Sequence, residues 1–221
     1  MKKFSALFYR EIFIGFRNIG NLTISLSFFF ISIVIFIISL GPNPEILSNT
    51  GFAIIWATVL FTIILSADQF FLKDFVDGSL KELQIIGYSP ESIIIVKVIV
   101  MWIFLILPLL LFTPILSLML QLQSKETIYL LFSITLGSPS ILLIASIGTL
   151  LTLQSKNNKV LLLILVYPFF IPILIFGVGS IQSSDSMVNN QSNFLVLIAI
   201  FLITLPITLI SGKYAFKEVN K

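Results

Sequence analysis

Six long apolar runs joined by short polar segments constrain this chain more than any other feature. They lie at about Leu22–Leu40, Phe52–Leu72, Ile93–Leu120, Ile128–Leu153, Val160–Ile181 and Phe194–Ser211. A hydrocarbon core of roughly 30 Å is crossed by about 20 apolar residues in a helix. The second run meets Asp68, but Phe70, Phe71 and Leu72 prolong it beyond that carboxylate. None of the runs alternates with a period of two, so helices are expected and not the strands of a barrel. Charged residues make up only 10% of the chain, against roughly 25% in ordinary soluble domains. That is too little polar surface to face water. The expected fold is an all-α integral membrane protein of six transmembrane helices, forming one domain over residues 1–221, because no join is long enough to hold a soluble domain.

Basic residues sort the joins into two sides. Placing both termini and the segments after the second and fourth spans on one side gives that side 12 of the 13 Lys and Arg residues, with Lys125 alone opposite. Both termini are therefore expected in the cytoplasm. Residues 1–20 carry Phe4, Phe8, Ile12, Phe16 and Ile19 as an apolar stripe, with Lys3, Arg10 and Arg17 opposite. This pattern predicts an amphipathic helix lying in the cytoplasmic interface. The following run is too long for the apolar region of a cleaved signal, so no leader is expected.

The chain has no Cys and no His, and its net charge is +3. These counts exclude disulfides, thiol nucleophiles, Cys/His zinc sites and histidine haem ligation. Gly212-Lys213 lacks the glycine spacing and the Ser/Thr of a phosphate-binding loop, so ATP hydrolysis is not expected of this chain. Near the membrane ends only Asp68 and Lys97 carry charge, and Lys97 is expected to snorkel to water. Without intramembrane charges to couple protons or sodium, any work must be powered by a partner.

The cytoplasmic segment from Asp68 to Glu91 is the most charged part of the chain. Ser79 with Glu82 reads as a capping box, and Gly87 suits a left-handed helix end. Ser89-Pro90 then restarts a helix. A short helix is expected over Leu80–Ile86, showing Leu80, Leu83 and Ile86 (or Ile85) as an apolar ridge for docking in a groove of another protein. Inside the spans, Pro108, Pro114, Pro139, Pro168, Pro172 and Pro206 each remove a helix hydrogen bond. Gly137, Pro139, Pro168 and Pro172 are the candidates for helix breaks that gate a transport cycle, with Gly137-Ser138 also suited to close helix approach.

These segments resemble the haem exporter protein B family nearly from end to end. The resemblance is carried by Phe16-Arg17, Gly41-Pro42-Asn43-Pro44, Asp77-Gly78-Ser79-Leu80 through Leu83, Leu136-Gly137-Ser138-Pro139, and Ile171-Pro172-Ile173-Leu174-Ile175-Phe176. It implies an ABC-2 exporter-type permease subunit, not itself an enzyme, in the bacterial inner membrane and in the maturation of c-type cytochromes. The implied partners are a cytoplasmic ABC ATPase, a haem-handling membrane subunit and a periplasmic haem chaperone, with two copies of the permease per complex. On this resemblance Asp77, Gly78, Ser79, Leu80, Glu82 and Leu83 form the coupling helix seated on the ATPase, and the N-terminal helix is the connecting helix. Gln69 and Leu72 stand where the family usually has arginines, and Asn157-Asn158 where it has Gly-Gly. No cofactor is expected on this chain: haem and ATP belong to its partners. Release of a haem-loaded chaperone suits these residues better than passage of haem itself, since no haem pocket is evident. The competing readings are an ABC-2 exporter of lipid-linked glycan or drugs, and a membrane scaffold that only anchors an ATPase.

Overall fold

The computed structural model describes residues 2–153, 158–182 and 187–219. Among these residues every regular element is a helix. The chain begins with α1 (Lys2–Arg17) and α2 (Ile19–Leu40), followed by α3 (Pro44–Val76) and the short α4 (Ser79–Ile85). A long third run is assembled from α5 (Pro90–Met101), a π turn over Trp102–Ile106 and α6 (Leu107–Met119). Then come α7 (Ser124–Thr152), α8 (Asn158–Gln182) and α9 (Met187–Val219). Five segments are long and apolar enough to cross a bilayer: Leu22–Leu40, Pro44–Val76, Pro90–Met119, Ser124–Thr152 and Gln191–Phe216. A sixth apolar stretch, Val166–Ser180, lies within the 25-residue α8. Lys156 and Asn157 lie outside the described residues, as do the central residues of the segment between α8 and α9.

The helix ends follow from local chemistry. Asn43 caps α3, its Oδ1 accepting from the Glu45 and Ile46 N–H groups, with Pro44 in the first turn. Ser89 caps α5 as expected, its Oγ accepting from the Ser92 N–H at 3.2 Å. At the start of α7 the Gln123 N–H donates to the Glu126 carboxylate at 2.8 Å, one half of a capping box. Inside the spans, hydroxyls bond back to their own helix: Thr62 Oγ1 to the Thr58 carbonyl at 2.6 Å, and Thr149 Oγ1 to Ala145 at 2.9 Å. These bonds satisfy polar groups where lipid offers no partner.

α7 is the centre of the bundle, with α3, α8 and α9 packed around it. Glycines let the helices approach. A Cβ on Gly148 would lie 2.2 Å from a Val166 methyl, and one on Gly137 would lie 2.5 Å from Trp56 Cη2. Trp56 is fully buried between Gly137 of α7 and Gly177 of α8. Its Nε1 donates to Ser133 Oγ at 3.2 Å, and Ser133 Oγ donates to the Gly177 carbonyl at 2.7 Å. This knot ties three helices together.

The breaks expected at Gly137-Pro139, Pro168 and Pro172 are absent. α7 and α8 run unbroken through them, as α9 runs through Pro206. One missing bond in a helix of 25 or 29 residues is carried by the bonds around it and by packing. Gly137 is where the Trp56 ring sits against α7. Only Pro108 coincides with an altered backbone. It cannot donate to the Phe104 carbonyl, and the turn before it widens so that the Leu107 N–H reaches Trp102 O.

Candidate functional site: a helical knob on a buried charge cluster

α4 is strung between the ends of α3 and α5, and two glycines define it. Gly78, with φ 77°, ends α3 and caps α4 at once: its carbonyl accepts from the Lys81 and Glu82 N–H groups. The capping box expected from Ser79 and Glu82 therefore does not form. The left-handed turn at Gly78 leaves Ser79 already inside the helix, where its hydroxyl cannot cap. Gly87, with φ 93°, behaves as expected: its N–H reaches Gln84 O, and Tyr88 N–H reaches Leu83 O, closing a Schellman motif.

The faces of α4 differ from the expected docking ridge. Leu80 and Leu83 are 1% and 3% exposed and belong to the chain's own core. Ile85 and Ile86 are 86% and 63% exposed, and Val76 beside them is open as well. Asp77, Lys81 and Glu82 surround this apolar tip with charge. The reason is helical geometry. Residues 80 and 83 share one face, and that face anchors a two-turn helix unable to stand alone in water. The outward apolar surface is therefore Val76, Ile85 and Ile86.

Beneath the knob lies a feature that the sequence did not reveal. Lys97 is 2% exposed and does not snorkel. Its Nζ donates to Glu11 Oε2 at 2.8 Å and to Asp74 Oδ2 at 2.5 Å. Arg10 contacts Glu11 directly and lies 3.9 Å from Asp74. Phe71 presents its ring 5.6 Å from the ammonium. Two cations and two carboxylates from α1, α3 and α5 thus neutralise one another, with Lys97, Glu11 and Asp74 buried and Arg10 half-buried at the edge. Removing one partner of such a pair typically costs about 3–5 kcal/mol, because the other charge is left stranded. A crevice of about 30 Å³ borders the cluster, lined by Glu11, Gly15, Asn18, Lys73, Asp74 and Lys97. The signal for it was Glu11, a lone acid on the apolar side of α1, four residues from both Leu7 and Gly15.

The N-terminal helix accordingly turns differently from its expected pose. Leu7, Glu11 and Gly15 form the buried stripe, while Phe4 and Phe16 are exposed and Ile19 begins α2. Arg10 points into the cluster and not to headgroups. Gly15 sits against the Phe104 ring in the π turn, and Phe16 meets that ring edge-on at 5.0 Å between centroids. On the far side of the π turn, Trp102 Nε1 donates to Ser138 Oγ at 3.0 Å. Two clefts of about 330 and 340 Å³ open between α7 and α9. One is bounded also by Ile99 and Trp102, the other by Phe169, and both are almost wholly apolar.

Comparison with known proteins agrees with this architecture. The family model described as CcmB protein matches residues 2–217. The chain is 32% identical over 205 residues to a protein named "Heme exporter protein B" of Pseudomonas aeruginosa, covering 93% of this chain and 92% of that one. A protein of the same name from Haemophilus influenzae is 34% identical over 181 residues, 82% of each chain. Another from Bradyrhizobium diazoefficiens is 32% identical over 208 residues, 94% of each. With the match running through every helix of the bundle, this multi-pass membrane chain belongs to the CcmB protein family.

Proposed function

We propose that this chain is the permease subunit of an ABC-type complex that serves haem delivery in c-type cytochrome maturation. ATP is hydrolysed by a cytoplasmic partner, and this chain converts the partner's movement into movement of helices in lipid. The observation that carries the reading is the division of α4 into a buried face, Leu80 and Leu83, and an exposed apolar tip, Ile85 and Ile86, ringed by charge. A knob held that firmly from behind and bare in front suits a groove on another protein. The names of the relatives support a role in haem handling for the complex. The excess of Lys and Arg on one set of joins supports a cytoplasmic location for both termini, in the bacterial inner membrane. Asp77, Lys81 and Glu82 give the rim its charge pattern, Gly78 sets its angle, and two copies of the chain form the complex.

The test pairs two changes. Ile85→Asp with Ile86→Asp leaves the anchor intact, so the chain accumulates normally in membranes while the ATPase no longer co-purifies. Covalent haem attachment to c-type cytochromes is lost, and b-type cytochromes are unaffected. Wild-type recovery of the ATPase with the double variant refutes the interface. Normal c-type haem staining in a strain lacking the chain refutes the maturation role.

A further inference from the structure

The buried charges join three stretches distant in sequence: Glu11 from α1, Asp74 near the end of α3, and Lys97 from α5. α3 and α5 are the two legs from which α4 hangs. Each cation approaches both carboxylates, so the group is balanced and holds its members in a fixed register. Further contacts fasten α1 along its length. Phe104 fills the space over Gly15, and just past the end of α1 Lys73 Nζ donates to Asn18 Oδ1 at 2.7 Å. The hydrophobic driving force is non-directional, whereas hydrogen-bonded ion pairs fix the geometry of the groups they join.

We propose that Glu11, Asp74 and Lys97 are positioning residues that weld α1 to both legs of the α4 hairpin. A push on α4 then carries α1 and the cytoplasmic ends of α3 and α5 as one body. This rests on the reading of α4 as the ATPase contact. The N-terminal helix becomes a working part of the lever and not a float on the lipid surface.

Two experiments on the assembled complex test it. The chain contains no cysteine, so Asn18→Cys with Lys73→Cys introduces its sole thiol pair, which a short bismaleimide joins. A welded α1 keeps ATP turnover in the reconstituted complex within about twofold of the untreated sample, whereas arrest by about tenfold or more shows that α1 moves against α3 and overturns the proposal. In the second, Glu11→Met, Asp74→Leu and Lys97→Met are combined in an Arg10→Leu background, which leaves no cation stranded and replaces the cluster with apolar side chains, and Lys97→Arg serves as the conservative control. The combined variant is expected to capture the ATPase fully yet lose about tenfold or more in haem attachment, with Lys97→Arg retaining most of it. Wild-type haem attachment by the combined variant overturns the proposal. Should the combined variant fail to accumulate in membranes, the cross-link decides alone. Failure of the docking reading shows separately, as ATPase capture that ignores Ile85→Asp with Ile86→Asp.

Discussion

Gly137→Ala is a one-methyl change whose sign depends on Trp56. The added Cβ would lie 2.5 Å from Trp56 Cη2 and 3.3 Å from a methyl of Ile173. Carbon contacts are optimal at about 3.5–4.0 Å, so the indole would have to retreat by about 1 Å. It has nowhere to go. A Cβ on Gly177, on α8, would lie 2.6 Å from the same ring, and the indole Nε1 is held by Ser133. Overpacking of this kind costs about 1–3 kcal/mol, while Ala in place of Gly regains about 0.8–1.0 kcal/mol of helix propensity. The net is a destabilisation of about 1 kcal/mol, or roughly 2–4 °C in Tm for a chain of this size. In a Trp56→Phe background the obstructing ring atoms are gone, and Ser133 still donates to the Gly177 carbonyl. There Gly137→Ala is expected to raise Tm, since the propensity gain outweighs the remaining 3.3 Å approach to the Ile173 methyl. Thermal unfolding of the four proteins in one detergent, followed by near-ultraviolet circular dichroism, measures the cycle. A rise in Tm from Gly137→Ala in both backgrounds, or equal shifts in the two, would refute the tight seat and return Gly137 to a role in bending.

Two further changes probe other joints. Gln121 holds φ 58° between α6 and α7, in the left-handed region that suits glycine; Gln121→Gly is expected to stabilise by about 0.5–1 kcal/mol, read as a higher Tm. Gly15→Val collides with the Phe104 ring, which lies 2.7 Å from a Cβ there. It should lift α1 from the π turn and raise protease cleavage between α1 and α2, and Phe104→Ala in the same chain should restore protection.

Much of the membrane organisation was legible because lipid is a simple solvent. Every backbone polar group must be paired within its own helix, so apolar length alone marks the spans. Gly87, Ser89 and Pro90 were legible for a different reason, since caps and left-handed ends depend on residues within one turn. The errors fell where a contact crosses between helices. Ser79 lost its capping role because Gly78 was needed to end α3. Leu83 was read as outward because an apolar ridge looks the same in sequence whether it meets a partner or its own core. Lys97 is buried on Glu11, which lies 86 positions earlier and carries no local mark of being its partner.

Sequence alone determined that the chain is built of long apolar helices suited to lipid, and that histidine and cysteine chemistry are closed to it. Those properties depend on composition and on neighbours a few residues apart. The tertiary structure decided which face of α4 is free, that α1 is bolted to the bundle by buried charge, and that Gly137 seats a tryptophan. Each of those is settled by side chains that meet across distant parts of the chain, and a one-dimensional pattern does not record such meetings.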